Sequence, residues 1–132
     1  MRTVITFATS SREELVDITE RVRKIVARHG AGYQLCALYA LGATAAIMIQ
    51  ENWDPHIRTD VIECLRSIAP QGQWQHDRVD GNGDAHIKAG LVGPSEIIPI
   101  EEGRLLLSTW QNIFFCEFDG PRSARQVIVT LL

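Results

Sequence analysis

Cysteine is scarce and unpaired in this sequence: Cys36, Cys64 and Cys116 are an odd number, widely spaced, with no CxxC pair. That argues against a disulfide framework and against a zinc ribbon, and it leaves each thiol reading as a small buried hydrophobe. No run approaches the roughly 18 apolar residues of a membrane span. The opening MRTVITFATSSREELV turns polar and acidic where a signal peptide needs an unbroken apolar stretch, so a cytoplasmic protein without a membrane partner is expected. Positive charge is not in excess either. The 13 Lys+Arg stand against 16 Asp+Glu, a formal net charge of -3, which builds no field for nucleic acid. A small phosphorylated ligand stays compatible with that balance, because one or two local arginines suffice to hold a phosphate. The 10 glycines and 5 prolines are scattered rather than massed, so collagen-like and low-complexity classes fall away. The chain also lacks GxGxxG, GKS/T, HExxH and GxSxG elements, which removes the common nucleotide, zincin and serine-hydrolase readings.

What is present is enough for one cored domain: 132 residues, 45% of them hydrophobic. Residues 2–8 alternate as a strand does. Ser11 followed by Glu14 reads as a capping box, with Leu15, Ile18, Val22 and Ile25 at helical spacing and Gly30 as the stop. YQLCALY (33–39) and AAIMI (45–49) read as buried strands with a tight connection or kink between them. Asp54-Pro55 starts a second helix that ends before Pro70. Residues 71–86 have no convincing period and read as a long loop, and 87–92 are ambiguous between a short helix and a strand. EIIPI, RLLLSTW, NIFFCEF and RQVIVTLL then follow as four strand candidates, which imply an antiparallel meander. Two main helices against many short strands predict a single α+β domain over residues 1–132 with an extensive antiparallel sheet.

Candidate chemistry centres on the 71–86 segment. His76 and His86 flank it, and its glycines allow the chain to fold back so that the two imidazoles converge. If residues 82–86 are extended, Asn82, Asp84 and His86 project to one side. With His76 they would suit a divalent metal, magnesium or zinc, or a magnesium-phosphate group, an ordinary acidic surface loop being the alternative. Glu51 and Asn52 follow a strand end, where they face either a cleft or the next helix. Arg104, Arg122 and Arg125 stand near turns, and Arg122 follows Gly120-Pro121, well placed for a bidentate phosphate contact. Trp110 offers a face for a heterocycle or an anchor for a core or interface.

The blocks ATAAIMIQEN, GNGDAHIKAGLVGPS, GRLLLSTWQ and CEFDGPR, spread over about residues 42 to 122, together resemble the YjbQ-like family, also called UPF0047. The resemblance implies a compact α+β domain assembled as a homotrimer, with clefts near subunit boundaries. It also implies a weak secondary thiamine-phosphate synthase activity, joining a hydroxymethylpyrimidine diphosphate to a thiazole phosphate, and a divalent cation. The catalytic candidates are then His76, His86 and Glu51; Arg104, Arg122, Asn82 and Thr44 would bind phosphate; His76, His86 and Asp84 would hold the metal. One departure stands out. Gly42 occupies the position of the family's first histidine, so a three-imidazole site would keep at most two. A non-enzymatic trimer that binds a metabolite or stabilises another protein is the alternative.

Overall fold

The computed structural model describes all residues, 1–132. Its eight strands are β1 (Arg2–Phe7), β2 (Glu14–Asp17), β3 (Leu35–Ala40), β4 (Ala45–Gln50), β5 (Ser95–Glu101), β6 (Arg104–Leu105), β7 (Asn112–Glu117) and β8 (Arg125–Leu131). The α-helices are α1 (Thr19–His29), α2 (His56–Ile68) and α3 (Gly83–Val92), and a 3-10 turn spans Gln75–Arg78. All strand pairs are antiparallel. They form a five-stranded sheet of order β1-β8-β3-β5-β6 and a three-stranded sheet of order β2-β7-β4. The α+β class follows directly.

Alternation along the strands explains the layering. Ile5, Phe7, Cys36, Leu38, Ile98, Val127 and Val129 point inward from the large sheet and meet Ile47, Ile113 and Phe115 of the small one, with Val22 and Val26 of α1 in the same core. The opposite face of the small sheet, carrying Ala46, Phe114 and Cys116, packs on Leu65 of α2 and on Ala85 and Ala89 of α3. The small sheet is therefore buried on both faces. This is why NIFFCEF is apolar almost throughout instead of alternating.

Three sequence expectations are corrected. The first helix starts at Thr19, not at Ser11, because Glu14 closes a local loop by accepting the backbone N–H groups of Ser10 and Ser11, and Leu15 lies on β2. The C-terminal strands are not a meander: only β5 and β6 pair as neighbours, while β7 enters the small sheet and β8 inserts between β1 and β3. RLLLSTW contributes only the two residues of β6. Finally, the expected loop of 71–86 contains the 3-10 turn and the start of α3, a third helix.

Candidate functional site

Helix α3 decides which polar side chains meet. Asp77 anchors its start by accepting N–H groups from both Trp74, at 3.1 Å, and Gly83, at 2.7 Å. A Cβ on Gly83 would lie 2.6 Å from the Trp74 Cβ, so only glycine allows the 3-10 turn to sit this close. The turn brings His76 against His86, one helical turn beyond Asn82, with ring centroids 4.7 Å apart in an edge-to-face arrangement. His86 is half-buried and its ring makes no hydrogen bond to the protein, whereas His76 Nε2 lies 3.6 Å from Asp80 Oδ2.

Because residues 83–92 are helical, Asp84 and His86 are about 200° apart around the axis and do not share a side. Asp84 instead points inward, fully buried, and accepts from Lys88 at 2.8 Å and from Arg12 at 3.1 Å. Burial alone would raise its pKa, but the hydrogen bonds from Arg12 and Lys88 outweigh it and hold the carboxyl below its ordinary value. Lys88, 1% exposed, also reaches Glu13, which in turn pairs with Arg66. This charge cluster ties the segment before β2 to α2 and α3. Its carboxylates are committed to cations, so Asp84 is not presented as a metal ligand. No three His, Cys, Asp or Glu side chains are grouped to hold a metal ion.

A second network begins at Asn82. Its Nδ2 donates to Asp119 Oδ2 at 2.8 Å, and Arg122 donates to the same oxygen at 3.0 Å. The Asp119 N–H donates to Glu117 Oε1, and Glu117, fully buried, is clasped by Arg125 at 2.8 Å through Nε and at 2.5 Å through Nη2. Thr9 donates to Glu117 Oε2, and Thr44 Oγ1 accepts from Arg125 Nη2 at 2.9 Å. Burial pushes the Glu117 pKa up, yet the contacts from Arg125, the Asp119 N–H and Thr9 together leave it below the ordinary value. Asn82 Oδ1 is buried without any donor. Thus Thr44, Asn82 and Arg122 share one connected network next to the histidine pair.

The remaining expected site residues lie elsewhere in the chain. Glu51 follows the end of β4 opposite Thr44, roughly 20 Å away at strand rise, and accepts the N–H groups of Trp53 and Asp54 as a turn cap. Trp53 and Trp110, 78% and 53% exposed, meet edge to face at 5.6 Å near that end and are not core residues. Arg104, on β6, lines a cleft with Arg23, Ala27 and Leu105 beside α1. Surface clefts of about 390 and 480 Å³ are lined by the Ser10–Leu15 segment with α2, and by Tyr33 with Gly103 and Arg104, respectively, so neither includes the histidines. Arg125 and Glu117 are the central pair that spacing alone does not single out. The clue was that a charged residue opening an apolar strand, as Arg125 does in RQVIVTLL, needs a buried partner.

A model of the UPF0047 protein YjbQ-like family matches residues 3–132. The chain belongs to the UPF0047 family. It is similar to a UPF0047 protein of Archaeoglobus fulgidus, 40% identical over 129 residues that make up 96% of this chain and 98% of that one. The YugU protein of Bacillus subtilis is 39% identical over 118 residues, 87% of each chain. Among solved structures, a YbjQ-like protein of unknown function from Sulfolobus solfataricus superposes with a TM-score of 0.95 at 34% identity, covering 99% of this chain and 95% of that one. A UPF0047 structure from Clostridium acetobutylicum gives a TM-score of 0.92 at 40% identity, covering 98% and 99%. These likenesses carry the UPF0047 fold across the whole chain.

Proposed function

We propose that this UPF0047 protein binds a phosphorylated small molecule beside the start of α3, with His76 and His86 handling protons or phosphate oxygens. The observation that supports this best is the convergence of the two imidazoles at 4.7 Å, next to a network that ends in Arg122 and in the donorless Asn82 Oδ1. The reaction to test is thiamine-phosphate synthase-like: the C–O bond between a pyrimidine methylene and pyrophosphate breaks, pyrophosphate leaves with the electron pair, and a thiazole nitrogen forms the new C–N bond. Arg122 would offset charge on the departing phosphate, and an imidazole would orient it or protonate it.

The experiment is product formation from the pyrimidine diphosphate and thiazole phosphate, alongside pyrophosphate binding by calorimetry, for the native chain and His86→Ala. Turnover that falls by about 100-fold or more in the variant supports the enzyme. Turnover untouched by the substitution overturns the assignment. Gly42 in place of the family's histidine favours a second reading, a metabolite-binding scaffold. Pyrophosphate binding without product at enzyme-stoichiometric concentration selects that one.

We further propose that the chain self-associates as a homotrimer through the outer face of the large sheet. Val4, Tyr39 and Ile97 stand exposed there on adjoining strands, with half-buried Ile128 between Val4 and Tyr39. A sheet face of this character is suited to burial against a second copy.

A further inference from the structure

Arg125 has a side that the protein leaves unused. Its Nε and Nη2 are taken by Glu117 and Thr44, but Nη1 makes no hydrogen bond. Glu117 is itself saturated, accepting from Thr9 and the Asp119 N–H as well as from the arginine, so it fixes the guanidinium plane. The ring of Phe115 lies against the same guanidinium, its centroid 6.0 Å from Cζ. Nη1 points toward Gly42, where a built Cβ would stand 2.9 Å away. Thr44 Oγ1 accepts from Arg125 and donates to nothing in the chain, which leaves its hydroxyl hydrogen free although the residue is only 5% exposed. Arg125 Nη1 therefore faces the space that Gly42 leaves open, and the Thr44 hydroxyl, two residues along the chain and beside Arg125 Nη2, is the other free donor at that guanidinium.

We propose that Arg125 Nη1 and the Thr44 hydroxyl form an oxyanion subsite over Gly42, which takes a phosphate oxygen of the ligand. This rests on the reading above that the ligand is phosphorylated, and it adds Arg125 to Arg122 and Thr44 as phosphate contacts, whereas Arg104 lies in a separate cleft beside α1. Glu117 is a positioning residue: it consumes the fork of the guanidinium and turns the remaining N–H groups outward. The glycine is then a functional choice, because any side chain at position 42 would fill the subsite. Its φ is not in the left-handed region, so alanine there is opposed by the contact with Nη1 and not by backbone strain.

The test is calorimetric titration of the full chain with inorganic pyrophosphate, comparing the native protein with Thr44→Val, Thr44→Ser, Gly42→Ala and His86→Ala, each first shown folded by its thermal transition. Thr44→Val removes the hydroxyl at nearly constant shape, and Gly42→Ala sets a methyl group against Nη1, the thermal transition reporting whether the Arg125–Glu117 pair holds in each. Each is expected to weaken binding about tenfold, while Thr44→Ser retains it. If Thr44→Val does not fold, Gly42→Ala alone decides. Native-like affinity in the folded Gly42→Ala variant overturns the subsite. If His86→Ala weakens binding while the position 42 and 44 variants do not, the phosphorylated-ligand reading stands and this subsite falls. Weakening by Thr44→Val and Gly42→Ala without an effect of His86→Ala keeps the subsite and removes the histidines. A native protein that binds no pyrophosphate removes both.

Discussion

Glu117 and Asp84 are carboxylates fully buried in the fold, and cations replace the water each has lost. Both pKa values are depressed from ordinary values of 4.5 and 3.8, against the opposing effect of burial. Folded-state pKa values lower than unfolded ones mean stability that is fully present above the ordinary values and is lost as pH falls through the depressed ones. Urea midpoints are accordingly expected to hold steady from pH 7 toward pH 5 and to fall progressively below about pH 4.5; a midpoint unchanged down to pH 3 would contradict the ion-pair account. The thiols divide in the same physical terms. Burial pushes Cys36 up to about 11 and Cys116 up to about 12, which keeps both inert, whereas Cys64 is exposed on α2, unlike the buried hydrophobe its composition implied.

At the scale of elements, α3 is the piece on which the candidate site depends. Its inward face contains Asp84 and Lys88 beside Ala85 and Ala89, so the apolar periodicity that identifies a helix is interrupted by a buried ion pair. Three glycines, Gly81, Gly83 and Gly90, obscure it further. Gly83→Ala tests how the helix docks. An added Cβ ordinarily favours a helix by up to about 1 kcal/mol. Here it would meet Trp74 Cβ at 2.6 Å and Asp77 Oδ1 at 2.9 Å, neither a freely movable chain end. Steric cost should win: a loss of about 1–3 kcal/mol in urea unfolding is expected, with shifted ring resonances of His76 and His86 in NMR spectra as the turn moves. A more stable variant with unchanged imidazole signals would show that the close approach is not needed.

For the whole molecule, the large sheet has one face in the core and one carrying apolar side chains into solvent. Tyr39 stands opposite Ile128, and Ile128 opposite Val4, so the exposed residues form a continuous row across three strands. Sedimentation at several concentrations should give a mass of about three chains. Tyr39→Glu with Ile97→Lys should shift the population to the monomer without unfolding it, because both positions are exposed in the single chain. A native chain that sediments as a monomer removes the trimer. Glu51, Trp53 and Trp110 lie at the opposite end of β4 from Thr44 within one chain, so a role for them in a site that includes Thr44 would require a neighbouring copy to supply them.

The sequence by itself determined the α+β class, most of the strands, the second helix and the family, because each rests on local signals: alternation, helical spacing, Pro and Gly at boundaries, and blocks of adjacent residues. It also placed His76 and His86 together, since a glycine-containing segment of ten residues readily returns on itself. The tertiary structure alone decided the pairing order, because β8 chooses β1 and β3 from across the chain and no local pattern encodes that choice. It decided as well that Asp84 serves a buried ion pair, that Glu51 caps a turn, and that Arg125 closes on Glu117 and Thr44. A charged residue reads in sequence as solvated surface. Whether it is buried depends on partners brought from distant segments, whose electrostatic contacts replace the water it loses.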